Sequence, residues 1–176
     1  MPLCHECNGS CCTQFLYSVT HKDILRIAET IKLPPVNFST AHPEKYEDHP
    51  AFLLNNLYHT LTINSTPNTN TCIFAIKLND IYRCGIHSCR PYVCRCYPFG
   101  LNKEKLEYLK PFVCPKKWSA EGKEKKQYKK DIKQILKEGK EYQKITEIWN
   151  NEFYSVKSSF MDFLEFLKEF DEKTKK

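Results

Sequence analysis

Cys84-Gly-Ile-His-Ser-Cys89-Arg-Pro-Tyr-Val-Cys94-Arg-Cys96-Tyr-Pro-Phe99 places four cysteines within sixteen residues. Pro91 is tolerated in the first turn of a helix but not deeper, and Pro98 ends any helix that starts near it. The stretch therefore predicts one tight turn of helix between two loops, with several sulfurs held close together. In a chain that stays in a reducing compartment, sulfurs grouped this way read as ligands rather than as bridges.

A second group, Cys4-x2-Cys7-x3-Cys11-Cys12, opens the chain, and Cys72 and Cys114 complete a set of ten cysteines in 176 residues. A two-residue gap lets a backbone turn aim both sulfurs at one ion, as in zinc and iron–sulfur knuckles. Gly9 is the residue that can supply the unusual backbone angle such a turn needs. The start, Met-Pro-Leu-Cys-His-Glu-Cys, has neither a basic segment nor an apolar run, so no export signal is expected and the reading is cytoplasmic. No apolar stretch approaches the ~18 residues a membrane span requires. An even number of cysteines keeps a disulfide framework open as an alternative. Adjacent Cys11 and Cys12 argue against it, because neighbours rarely serve two bridges without strain.

Outward from the cysteines, Thr20 to Lys32 predicts a helix. Thr20 and Asp23 form a capping pair, and Ile24, Ile27 and Ile31 share a face before Leu33-Pro34-Pro35 ends it. Residues 36–50 show no periodicity and read as a surface loop. Leu57, His59, Leu61 and Ile63 alternate with polar residues, as in a half-buried strand. Residues 72–77 and 81–84 flank Leu78-Asn79-Asp80 as a hairpin, which would carry Cys72 and Cys84 on its two strands. Another strand is expected within Gly100 to Leu109. Ser119 can cap a long helix striped with Tyr128, Ile132, Ile135, Leu136, Tyr142, Ile145 and Trp149, weakened at Gly139 and broken at Asn150-Asn151. A last helix presents Val156, Phe160, Phe163, Leu164, Leu167 and Phe170. The expected class is α+β: a small antiparallel sheet with cysteine-rich loops, residues 1–118, and a helical region, residues 119–176, clamped over it in one structural domain.

These motifs resemble the YkgJ-type cysteine-cluster family. The resemblance rests on Cys4-x2-Cys7-x3-Cys11-Cys12, Cys72, Cys84-x-Ile86 and Arg90-Pro91-x2-Cys94-Arg95-x-Tyr97-Pro98-Phe99, and covers roughly residues 1–115. It implies a zinc- or iron-chelating domain, sometimes labelled an iron–sulfur oxidoreductase. Position by position, it implies metal ligation by Cys4, Cys7, Cys11, Cys12, Cys72, Cys84, Cys94 and Cys114. Cys89 and Cys96 are additional here, and His87 stands where the family usually has tyrosine. An imidazole beside Cys84 and Cys89 can ligate or serve as a hydrogen-bonded structural residue.

Thiolate-rich sites select zinc, copper(I) or iron–sulfur clusters over hard ions. Such sites carry net negative charge, and Arg90 and Arg95 stand where they can offset it and hydrogen-bond the sulfurs. No glycine-rich nucleotide or methyl-donor loop, nucleophile elbow or paired-carboxylate signature is visible, so no catalytic residue is named. Two alternatives stay open. One is a metal- or iron–sulfur-dependent oxidoreductase or protein methyl-transferring enzyme. The other is a nucleic-acid-binding module with structural zinc, since residues 116–144 hold eleven lysines against five acidic residues. Those lysines alternate with glutamates at helical spacing and include no arginine, which favours a solvated helix face.

Overall fold

The computed structural model of the chain describes residues 7–44, 50–110, 112–115 and 117–174; Cys4 lies outside them. In chain order the first elements are α1 (Cys11–Gln14), α2 (His21–Ile31), a 3-10 turn (Pro35–Asn37), β1 (Ser39–Pro43), β2 (Phe52–Leu54) and β3 (Leu57–Ile63). There follow β4 (Ala75–Leu78), β5 (Ile81–Cys84), α3 (Tyr92–Cys96), β6 (Phe99–Asn102), β7 (Lys105–Tyr108), α4 (Gly122–Ile148), a π-helical turn (Trp149–Phe153) and α5 (Phe160–Thr174). The class is α+β with small antiparallel sheets and C-terminal helices, as expected. The chain forms two compact units: Met1–Tyr17 with Asn64–Leu136, and Ser18–Ile63 with Lys137–Lys176. Every described cysteine belongs to the first, here the cysteine unit.

The second unit is built on the order β1-β3-β2, with both pairings antiparallel. The expected capping box opens α2: Thr20 accepts from the Asp23 amide, and Asp23 accepts in return from the Thr20 amide. β1 lies where the sequence suggested a loop. Its Ser-Thr-Ala-His-Pro composition carries no strand signal, and it is recruited by pairing along β3 from Ser39–Ile63 to Pro43–His59. On β3, Thr60 and Thr62 are buried along with Leu61 and Ile63, so the expected alternation fails where the strand is covered on both faces. Phe52 of β2 stacks on Phe163 of α5 at 3.7 Å between ring centroids, with Trp149 edge-on to Phe163 at 5.2 Å. The break expected at Asn150 is a π-helical turn rather than a loop. Asn150 accepts from Leu53 N–H at 2.8 Å and donates to Ala51 C=O at 3.0 Å, so it satisfies an edge strand that would otherwise stand unpaired.

His21 gives this unit a pH dependence. It is 2 % exposed, stacks on Tyr142 at 5.9 Å, and its Nδ1 has no hydrogen-bond partner among the described residues. Burial, helped by Lys22 on α2, brings its pKa down to about 4, against the opposing pull of Asp171 on α5, Glu141 on α4 and Asp23. The unfolded chain binds this proton near pH 6.5 and the folded chain does not until about pH 4, so stability falls as pH drops through that window. Between pH 6.5 and 5 this unit is expected to lose about 2 kcal/mol, and a His21→Gln variant to lose none of it. Urea denaturation followed through Trp149 at the two pH values checks this; parallel losses in both proteins would refute it.

In the cysteine unit, β4–β5 and β6–β7 are two-stranded hairpins closed by two-residue turns. Asn79 and Asp80 take positive φ of 47° and 63°, as their turn chemistry allows. Lys103 and Glu104 take the same conformation, at 45° and 66°, without any such chemistry. Cys96, Phe99, Trp118, Tyr128 and Ile132 form a compact apolar cluster, with Cys7 and Cys114 packed against it. The long helix α4, which begins at Gly122 rather than after Ser119, contributes Tyr128 and Ile132.

Candidate metal centre

The N-terminal knuckle is locked by Gly9. Its φ is +79°, and a Cβ there would lie 2.6 Å from Tyr82 Cβ and 2.7 Å from Tyr82 O. Glycine is therefore required twice, by the backbone angle and by the close approach of β5. The knuckle is tied to that strand: Tyr82 N–H donates to Asn8 C=O at 3.1 Å, and Arg83 donates to Cys7 C=O at 2.7 Å. Gly9→Ala is expected to cost the cysteine unit about 2–4 kcal/mol, from strain plus collision with backbone that cannot move aside. Gly122→Ala is the control: φ is +50° but nothing lies within 4 Å of the added methyl. Equal losses in chemical denaturation would contradict the argument.

Three sulfurs accept a backbone N–H from the residue two positions on. Gly9 donates to Cys7 Sγ at 3.3 Å, Phe74 to Cys72, and Ile86 to Cys84. Cys72 receives a second amide from Ala75. Amides aimed at sulfur stabilise the thiolate over the thiol and tune a metal bound to it. Backbone pairing gathers the groups: Cys72 N–H donates to Cys12 C=O at 2.8 Å, and Ala75, just beyond Cys72, pairs with Cys84 across β4–β5. The structure thus brings Cys12, Cys72 and Cys84 into one electrostatic neighbourhood. Cys72 itself sits in an isolated bridge with Ser65, ahead of β4 rather than on it.

The charge balance within this neighbourhood is uneven. A hydrogen bond from Cys11 brings the Cys12 thiol down to about 7 against the effect of burial, and Arg90 assists. Burial pushes Cys84 up to about 11 and raises Cys72, partly offset by the amides just described. Arg90 is 3 % exposed, and its guanidinium favours the charged forms of both Cys12 and Cys84. Arg95 is engaged elsewhere. Its Nε lies 3.6 Å from the buried Asp131 carboxylate on α4, and its guanidinium rests 4.9 Å from the Tyr92 ring centroid.

An aromatic wall borders the other thiols. Phe15 meets Tyr17 and Tyr97 edge-on, each at 5.4 Å, and the two tyrosine rings are 6.3 Å apart. Tyr97 accepts from Val113 N–H at 2.8 Å and hydrogen-bonds the Cys114 side chain. Burial, then the charges of Cys11, Cys94, Tyr97 and Cys12, holds the Tyr17 hydroxyl firmly protonated. Cys96, two residues from Cys94, points into the apolar cluster and is 2 % exposed. Cys89 is buried in the turn after β5, and His87 is half-buried in the same turn. The tyrosines and the sulfur-directed amides were not singled out from the sequence. Tyr97 lay inside a quoted motif and could have been; Tyr17 had no motif to mark it.

All nine described cysteines are free of disulfides. Among the described residues, no group of three His, Cys, Asp or Glu already stands close enough to hold a metal ion. The donor set nonetheless suits a soft metal: thiols outside disulfides, amides directed at sulfur and a buried guanidinium are what an anionic thiolate site requires. A family model described as "Putative zinc- or iron-chelating domain", built on a CxxCxxCC motif, matches residues 3–115. No curated protein and no solved structure matches the chain significantly. No helix among the described residues is long and apolar enough to cross a membrane.

Proposed function

The chain belongs to this family of CxxCxxCC domains, and we propose that it binds zinc or iron through the thiolates of Cys4, Cys7, Cys11, Cys12, Cys72, Cys84, Cys94 and Cys114. The observation that carries the reading is that backbone pairing draws Cys12, Cys72 and Cys84 into one electrostatic neighbourhood, where the buried Arg90 guanidinium favours the charged forms of Cys12 and Cys84. A guanidinium this deeply buried is costly unless negative charge faces it, and thiolates supply that charge. Arg90 offsets the charge of the site, while Arg95 anchors α3 to α4 through Asp131. In this reading the metal-binding module is the cysteine unit, Met1–Tyr17 with Asn64–Leu136.

Bound zinc would serve as a structural cross-link or Lewis acid, and iron, alone or as an iron–sulfur cluster, would add electron transfer. The chain's own residues hold the thiolates, direct amides at them and shield them behind aromatic rings. Metal chelation rather than a named reaction is the function proposed. Unbridged thiols support a reducing compartment such as the cytosol. Anaerobic purification followed by elemental analysis and a visible spectrum tests the reading. Stoichiometric zinc without colour, or iron with broad thiolate-to-metal absorption, is expected; neither metal at stoichiometric level would refute it.

A further inference from the structure

Tyr17 carries a hydroxyl that the fold buries and leaves unused. Among the described residues its oxygen is sealed from solvent and has no hydrogen-bond partner. Its electrostatic neighbours are the sulfurs of Cys11 and Cys94, then Tyr97 and Cys12. Leaving such a group unpaired is unfavourable, a cost a phenylalanine would avoid with the same ring packing. Tyr97 shows what a phenol does in this wall: its hydroxyl is satisfied by Val113 N–H at 2.8 Å and by the Cys114 side chain. Tyr17 stands in the same three-ring cluster, feels the charge of Cys11 and Cys94, and lacks the same satisfaction.

We infer that Tyr17 is a positioning residue of the metal site, donating its hydroxyl hydrogen bond to a metal-bound thiolate of Cys11 or Cys94. The inference rests on the proposed metal-binding reading. Thiolate is a far stronger acceptor than thiol, so the bond forms when sulfur gives its proton up to ligation. The phenol then disperses the charge on that sulfur and fixes its direction toward the metal, as hydrogen-bonded groups around metal ligands commonly do.

The test compares wild type, Tyr17→Phe and Tyr142→Phe, with zinc and cobalt(II) as the probes. Tyr142 is the control, because its buried hydroxyl also lacks a partner but lies in the unit without cysteines. Zinc affinity, measured by competition with a chromogenic chelator, is expected to fall about tenfold or more in Tyr17→Phe and to stay unchanged in Tyr142→Phe. The thiolate-to-cobalt absorption should shift in Tyr17→Phe alone. Unchanged zinc affinity together with an unmoved cobalt band would overturn the inference and leave the metal site standing. A wild type that binds neither probe would instead overturn the metal-binding reading, and this inference with it.

Discussion

Stripping the metal from the protein is expected to unfold the cysteine unit and leave the other unit folded. The cysteine unit is poor in self-sufficient structure. Among the described residues its two sheets have two strands each, and isolated two-stranded hairpins are marginal in water. Its cluster of Cys96, Phe99, Trp118, Tyr128 and Ile132 gathers few side chains for a segment that includes Asn64–Leu136. Binding energy for thiolate metal sites is folding energy, on the order of 10 kcal/mol, comparable to the whole stability of a domain. The second unit has no cysteine among its residues and owns Phe52, Leu61, Phe163 and Leu167, each fully buried. After chelation under reducing conditions, amides of Ile81–Cys84 and Phe99–Asn102 should lose hydrogen-exchange protection, and those of Leu57–Ile63 should keep theirs. Within α4 the loss should reach Tyr128 and Ile132 but spare Tyr142 and Ile145. If Ile81–Cys84 stays protected once elemental analysis shows the metal gone, the coupling of metal to fold is wrong.

What the sequence made legible follows chemistry confined to a few neighbouring residues. Thr20 and Asp23 announce the start of α2 because both halves of the capping box lie within one turn. Asn79-Asp80 announces the β4–β5 turn because both residues tolerate positive φ. Pro91 and Pro98 bracket α3 because neither fits inside a helix. The features that stayed hidden depend on distant partners. The turn at Lys103–Glu104 carries no turn residue; Glu104 is instead held by Lys133 on α4 at 3.0 Å, and the strands beside it by Asn102 and Glu107 at 3.0 Å. β1 exists because β3 offers it an edge. The candidate site divides the same way. The thiols were legible as ligand types from their spacing. The amides that point at them, the burial of Arg90 and the stranded hydroxyl of Tyr17 arise only when residues 7–17 meet residues 64–97.

Cys94 and Cys96 stand two positions apart on α3, and their alanine variants should fail in opposite ways. Two residues along a helix turn a side chain through roughly 200°, so the two sulfurs leave opposite faces. Cys96 enters the cluster with Phe99 and Trp118, where its thiol behaves as a small apolar group. Cys94 faces the Tyr17 side, where its charge is felt by the phenol that Cys11 and Cys12 also surround. Cys94→Ala should therefore bind metal about 100-fold more weakly or worse, with Cys12→Ala and Cys84→Ala behaving alike, because each removes a soft ligand that oxygen donors of water replace poorly. Cys96→Ala should keep full metal content while losing about 1–2 kcal/mol to the cavity it leaves. Metal per chain by elemental analysis, set beside urea midpoints of the same preparations, separates the two kinds of failure. Equal metal content in Cys94→Ala and Cys96→Ala would mean that the opposite faces of α3 do not sort ligand from core, and the proposed ligand set would have to be redrawn around Cys96.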